Sequence, residues 1–136
     1  MIKKILSTGS NLLLNNIALL ILRVATSAFM LTHGLPKLDK LLSENPTFPD
    51  PLGVGVLLSL GLVVFSEVIC SLFLILGLAT RIFTIPLIIT MVVAVFMIHA
   101  DDPFNKQEMG LLYLINYIII LVFGPGRFSI DKLIAN

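Results

Sequence analysis

Ionisable and polar residues stand at intervals inside stretches of this chain that are otherwise apolar. Arg23 and His33 lie within IALLILRVATSAFMLTHGLPK, residues 17–37, and Glu67 lies at the centre of a second apolar run. On a 3.6-residue period Arg23, Thr26, Ser27, Met30, His33, Gly34 and Lys37 share one face of a helix. A charge held against lipid costs about 2.5–3.5 kcal/mol or more, so this face is expected to turn inward. Arg23 and Glu67 have opposite signs, and pairing is the simplest way for both to stay ionised. Such a buried polar pair could be a staple that fixes helix register. The alternative is that it floors a pocket for a quinone, a lipid or a small substrate headgroup.

A second group maps to the opposite ends of the apolar runs: His33, Lys37, His99, Asp101, Asp102 and Glu108. Two imidazoles beside carboxylates could hydrogen-bond a quinone carbonyl and exchange its proton, because histidine titrates near neutral pH. An ordinary polar layer at the membrane–water interface is the plain alternative. The histidine spacing fits no HExxH-type motif, and no metal site is expected; a haem between His33 and His99 would be crowded. Ser27, Ser71 and Asn116 read as hydrogen-bonding residues of the interior, with Tyr113 beside them. No residue is identifiable as catalytic.

These side chains need long apolar elements to position them, and the composition supplies them. Hydrophobic residues make up 57% of the 136 and charged residues 12%, about half the usual charged share. Mean hydropathy is +1.05. The expected fold is an all-α, integral membrane, antiparallel four-helix bundle. An interfacial segment is expected over 1–16, with spans at about 17–35, 54–79, 82–99 and 108–123 in one domain covering 1–136. Gly34 and Pro36 read as the end of the first span, and a polar loop is expected from Lys37 to about Gly53. Thr80 and Arg81 form a link so short that spans two and three must be antiparallel neighbours. Gly124-Pro125-Gly126 closes the fourth span.

Four spans place both termini on one side. That side carries five basic residues, Lys3, Lys4, Arg81, Arg127 and Lys132, against Lys37, Lys40 and Lys106 on the other. The positive-inside rule then puts both termini in the cytoplasm of a bacterial cell, with the protein in the inner (plasma) membrane. A net charge of +1 argues against nucleic acid as a partner. The single cysteine, Cys70, excludes an intramolecular disulfide and a CxxC pair. There is no GxGxxG, phosphate loop or nucleophile elbow, so nicotinamide or flavin binding by this chain alone is not expected.

Several of these residues also form a recognisable set. Arg23 is followed by His33-Gly34 and Lys37. Glu67 sits mid-span, ahead of Leu76-Gly77-Leu78-Ala79-Thr80-Arg81. Phe96 and His99 end the third span, and Gly124-Pro125-Gly126-Arg127-Phe128-Ser129-Ile130-Asp131 follows the fourth. In this combination the chain resembles the DoxX family of small membrane proteins, from Leu22 onward. The resemblance implies a four-helix membrane bundle associated with redox chemistry. Some members are subunits of a quinol oxidase or a thiosulfate:quinone oxidoreductase, and others are linked to thiol-oxidant defence. The first reading is therefore a quinone-interacting or redox-complex-associated membrane subunit, catalytic or not. Its implied partners are the lipid bilayer, a membrane or peripheral redox protein, and a second copy of itself. The rivals are a non-enzymatic scaffold or assembly subunit, and a carrier of small solutes or lipid.

Overall fold

The computed structural model describes residues 1–136 and contains helices only. Four helical stretches are long and apolar enough to cross a membrane: Leu12–Leu41, Val56–Leu76, Thr80–Ile98 and Phe104–Phe123. Short helices α1 (Ile2–Ile5) and α7 (Ile130–Ile134) lie at the two ends of the chain. The first span is α2. The second is built from α3 (Val56–Val64), a π-helical turn over Phe65–Cys70, and α4 (Ser71–Leu76). The third is α5 (Thr80–Val93) continued by a π-helical turn over Ala94–Ile98, and the fourth is α6. The spans pack as a closed ring: the first on the second, the second on the third, the third on the fourth, and the fourth back on the first.

The bounds of the first span differ from the sequence reading. Helix α2 begins at Leu12, inside the segment expected to lie apart from the bundle. Asn11 starts it, its side-chain oxygen accepting from the N–H groups of Leu13 (3.0 Å) and Leu14 (3.3 Å). At the other end the helix runs through Gly34 and Pro36 to Leu41. Pro36 is exposed, so its missing N–H opens the ladder on the outside of the bundle, where no packing is lost. Gly34 faces inward and serves close packing: a Cβ there would lie 2.9 Å from the Glu67 Cβ. In lipid, small residues let helix backbones approach in this way.

The interior is small and mixed. Met30, Cys70, Leu74, Leu87, Met91, Tyr117 and Ile120 form its main apolar cluster. Leu60, Val64 and Val68 form a second cluster beneath Phe48 of the 42–55 loop. Large hydrophobic residues such as Phe29, Ile82, Phe96 and Val122 point outward, as expected where the surroundings are acyl chains.

Candidate functional site

Glu67 sits in the π-helical turn of the second span. A π turn carries an extra residue per turn and shifts the buried face of the helix. Ser66, Glu67 and Val68 are all buried in succession there, a wider inward arc than the single stripe of an amphipathic helix. Glu67 is 2% exposed. Its partner is Lys37, whose Nζ donates to both carboxylate oxygens at 2.7 Å. Helical side chains slant towards the N-terminus of their helix. Lys37 therefore reaches back one turn, to the level of Gly34, where α2 packs tightly against Glu67.

The ion pair stands between two cavities, and Lys37, Glu67 and Ala94 line both. The larger, about 320 Å³, lies between the second and third spans under the 42–55 loop. Its rim includes the outward-facing Leu62, Phe65 and Ile89, so it opens sideways, where lipid would be. Its walls are apolar apart from the ion pair, Ser59 and a hydroxyl pair on Ser66 and Thr90. The Thr90 Oγ1 lies 2.8 Å from Ser66 Oγ and 2.9 Å from the carbonyl of Pro86. Phe48, Pro51 and Leu52 cover it from the loop. Asp50 fixes that loop, accepting from the Ser59 hydroxyl (2.7 Å) and from the N–H groups of Gly55 (2.9 Å) and Val54 (3.0 Å). The Ser59 hydroxyl and then these amides hold the Asp50 carboxyl below its ordinary value.

The smaller cavity, about 150 Å³, lies at the bundle end opposite the chain termini. His33, Lys37, His99, Lys106 and Tyr113 bring polar atoms to it. The His33 ring meets Tyr113 edge-on, with centroids 5.7 Å apart and planes at 88°. His99 Nδ1 lies 2.6 Å from Asp102 Oδ2. That hydrogen bond, helped by Lys106, holds the Asp102 carboxyl below its usual range. His33, Lys37 and His99 are thus brought together as a mouth. Glu108 is not: its side chain lies on the exposed face of α6. The helix begins four residues earlier than expected, at Phe104, and the positions it turns to this cavity are Lys106, Met109, Gly110 and Tyr113. No cluster of three or more histidine, cysteine or acidic side chains is placed to hold a metal ion.

Arg23 does not meet Glu67. It is 2% exposed and lies at the other end of the bundle. There its Nη1 donates to the carbonyl of Pro125 and its Nη2 to the carbonyl of Phe128 at 2.8 Å. Two left-handed glycines, Gly124 (φ 77°) and Gly126 (φ 80°), fold the 124–129 turn inward to offer those carbonyls. The tail then closes over the link between spans two and three. Asp131 accepts from the N–H of Ala79 (2.6 Å) and of Thr80 (2.9 Å), and its own N–H donates to the Gly77 carbonyl (2.9 Å). Burial alone would raise the Asp131 carboxyl, but these amides and the nearby Arg23 charge bring it below its ordinary value. Arg127 N–H donates to Asn16 at 2.7 Å, joining the tail to the start of α2. The expected pairing fails because backbone carbonyls accept from both Nη groups of the guanidinium where it stands, leaving only its buried Nε without a partner, while Lys37 lies within reach of Glu67.

Of the interior residues, Asn116 donates to Thr26 Oγ1 at 3.2 Å. Ser27 and Ser71 are fully buried, in different spans. Sequence reasoning missed three features of the site: the Lys37–Glu67 contact, the Ser66–Thr90 pair and the Asp131 cap. Lys37 carried a usable signal, since it shares the helical face of Arg23 and His33.

Comparison with known proteins agrees with this architecture. The DoxX family profile matches residues 18–100. An uncharacterized membrane protein of Mycobacterium tuberculosis is 26% identical over 134 residues, covering 82% of this chain and 77% of its own. An uncharacterized protein of Haemophilus influenzae is 37% identical over 73 residues, covering 51% of this chain. The chain spans about half the length of that relative, 48%. No solved structure matches. With more than half of its residues matched by the profile and its four apolar helices in place, this chain belongs to the DoxX family.

Proposed function

We propose that the lateral cavity binds the headgroup of a membrane quinone, with Lys37 and Glu67 as its polar contacts, in a protein of the bacterial inner membrane. The observation that carries this reading is an apolar cavity of about 320 Å³ whose buried end is a cation and an anion in contact. Its volume is that of a small-ligand pocket. An ammonium donates to a quinone carbonyl, and a carboxylate accepts from a hydroquinone hydroxyl, so the pair suits both oxidation states. A fatty acid would bring its carboxylate against Glu67. A phospholipid phosphate would need uncompensated positive charge, and Lys37 is already neutralised by its partner. The basic side chains at the terminal end support cytoplasmic termini, so the histidine mouth faces the opposite side of the membrane. Electrons would be exchanged with a membrane or peripheral redox protein.

The test is retention of decylubiquinone by purified protein in nanodiscs, measured by solvent extraction and absorbance. Wild type should retain it near one per chain, and Glu67→Gln and Lys37→Met should each weaken retention, with Glu108→Ala unchanged. Failure of wild type to retain any quinone would sink the reading. A phospholipid or fatty acid found in its place would favour a lipid carrier. A stoichiometric protein partner with an empty cavity would favour a scaffold.

A further inference from the structure

Both cavities end on the same two side chains, but one opens towards lipid and the other towards water. We propose that the Lys37–Glu67 pair is a proton relay that connects a ligand in the lateral cavity to the histidine-lined mouth, and so to one side of the membrane only. The inference rests on the quinone reading of the lateral cavity and adds a direction to it.

The groups around Glu67 define the route. From the first span come Lys37, in contact, and His33. The fourth span contributes Tyr113 and Lys106 on the mouth side and Tyr117, fully buried with no hydrogen-bond partner, deeper in, and His99 stands at the end of the third. The helical part of the third span offers only the neutral Thr90 and the backbone beside Pro86 on the lateral side. On that side Glu67 and Lys37 are the ionisable groups in the cavity wall. On the mouth side His33 and His99 are partly exposed, and an imidazole nitrogen can take up or hand on a proton at the water boundary. At the terminal end, the Arg23 guanidinium is fixed to backbone carbonyls and Asp131 to backbone amides. Those two charges are therefore tied to backbone, while the lysines of that end, Lys3, Lys4 and Lys132, lie on the exposed surface.

The step balances as follows. A quinone takes two electrons from a soluble or protein-bound reductant. A Lys37 N–H bond breaks as an O–H bond forms on the quinone oxygen. The neutral amine beside Glu67 then regains a proton from imidazolium or water in the mouth. A second round delivers the second proton. The sum is quinone, two electrons and two protons from the mouth side giving one hydroquinone. Oxidation by an acceptor runs the same path backwards and releases both protons there.

The experiment uses decylubiquinone-loaded protein oriented in proteoliposomes, with reduced methyl viologen, a one-electron donor whose oxidation releases no protons, as reductant and a pH indicator on one side at a time. In wild type the indicator should report proton uptake from the side bearing His33 and His99, in step with quinone reduction. The double variant His33→Asn, His99→Asn should retain decylubiquinone as wild type does, while its proton uptake slows by roughly an order of magnitude or more. Equal uptake from both sides, or unchanged kinetics in the double variant with the quinone still bound, would overturn the relay and leave the binding site standing. Absence of bound quinone in wild type would overturn both.

Discussion

At the end of the bundle that carries both termini, Arg23 is surrounded by fixed backbone: two carbonyls of the 124–129 turn take its protons. Gly77 packs against it so closely that a Cβ there would lie 3.0 Å from the guanidinium carbon. At the opposite end, Glu67 has one flexible partner and two cavities. Both charges are about equally buried. The first is held by groups that cannot move without unfolding the tail. The second is held by a long side chain that can swing, beside space that a ligand can fill. Burial of a charge therefore does not by itself distinguish the two ends; the mobility and accessibility of its partner do.

The largest effect should come from Arg23→Leu. It removes both hydrogen bonds that hold the 124–129 turn and so releases the tail, and should cost about 3–5 kcal/mol, read as thermal unfolding in detergent. Next is a pair of double-mutant cycles. Lys37→Met alone leaves the Glu67 carboxylate unmatched and should cost about 2–3 kcal/mol, discounted because Lys37 is partly exposed. Combined with Glu67→Leu, the coupling should be about 1–3 kcal/mol, whereas Arg23 and Glu67 should show less than about 0.5 kcal/mol. A large Arg23–Glu67 coupling would erase the distinction between the two ends.

Asp131→Asn weakens the cap on α5 and should cost about 1 kcal/mol. Its pH dependence has a definite sign. The folded carboxyl lies below its ordinary value of 3.8. Its contribution is therefore present above that pH and lost as pH falls through the lower folded value. An unfolding series from pH 6 to pH 2.5 should show wild type losing this increment in acid, and the Asn variant lacking it throughout. The smallest effect belongs to Asn116→Ala, which removes one interspan hydrogen bond worth about 0.6 kcal/mol.

The spans themselves were legible, because apolar runs of membrane length have few alternatives and because Gly77 and Gly124 stop helices where a left-handed residue is needed. Gly34 and Pro36 were misleading for an understandable reason. The same residues that end a helix in water can continue one in a bundle, when the glycine faces a neighbour and the proline faces outward. The partner of Arg23 was not legible at all, since a backbone carbonyl has no residue type to announce it. Nor was the π turn, whose shift of the buried face leaves no periodic signature over six residues. Glu108 was assigned to the mouth by its position in the chain, but it falls on the exposed face of α6, off the stripe of Lys106, Met109, Gly110 and Tyr113.

Helix α2 has 30 residues, about 45 Å at the usual rise, against a hydrocarbon core of about 30 Å. Arg23 and Lys37, on the same helix, stand roughly 20 Å apart along it. The tail latch holds one of them at the terminal end of the bundle, so in a bilayer acyl-chain length would decide how the other is solvated. Short chains would leave Lys37 among hydrated headgroups and draw it off Glu67; long chains would submerge it and tighten the contact. Bilayer thickness thus becomes a control on the site, exerted through a helix too long for its membrane.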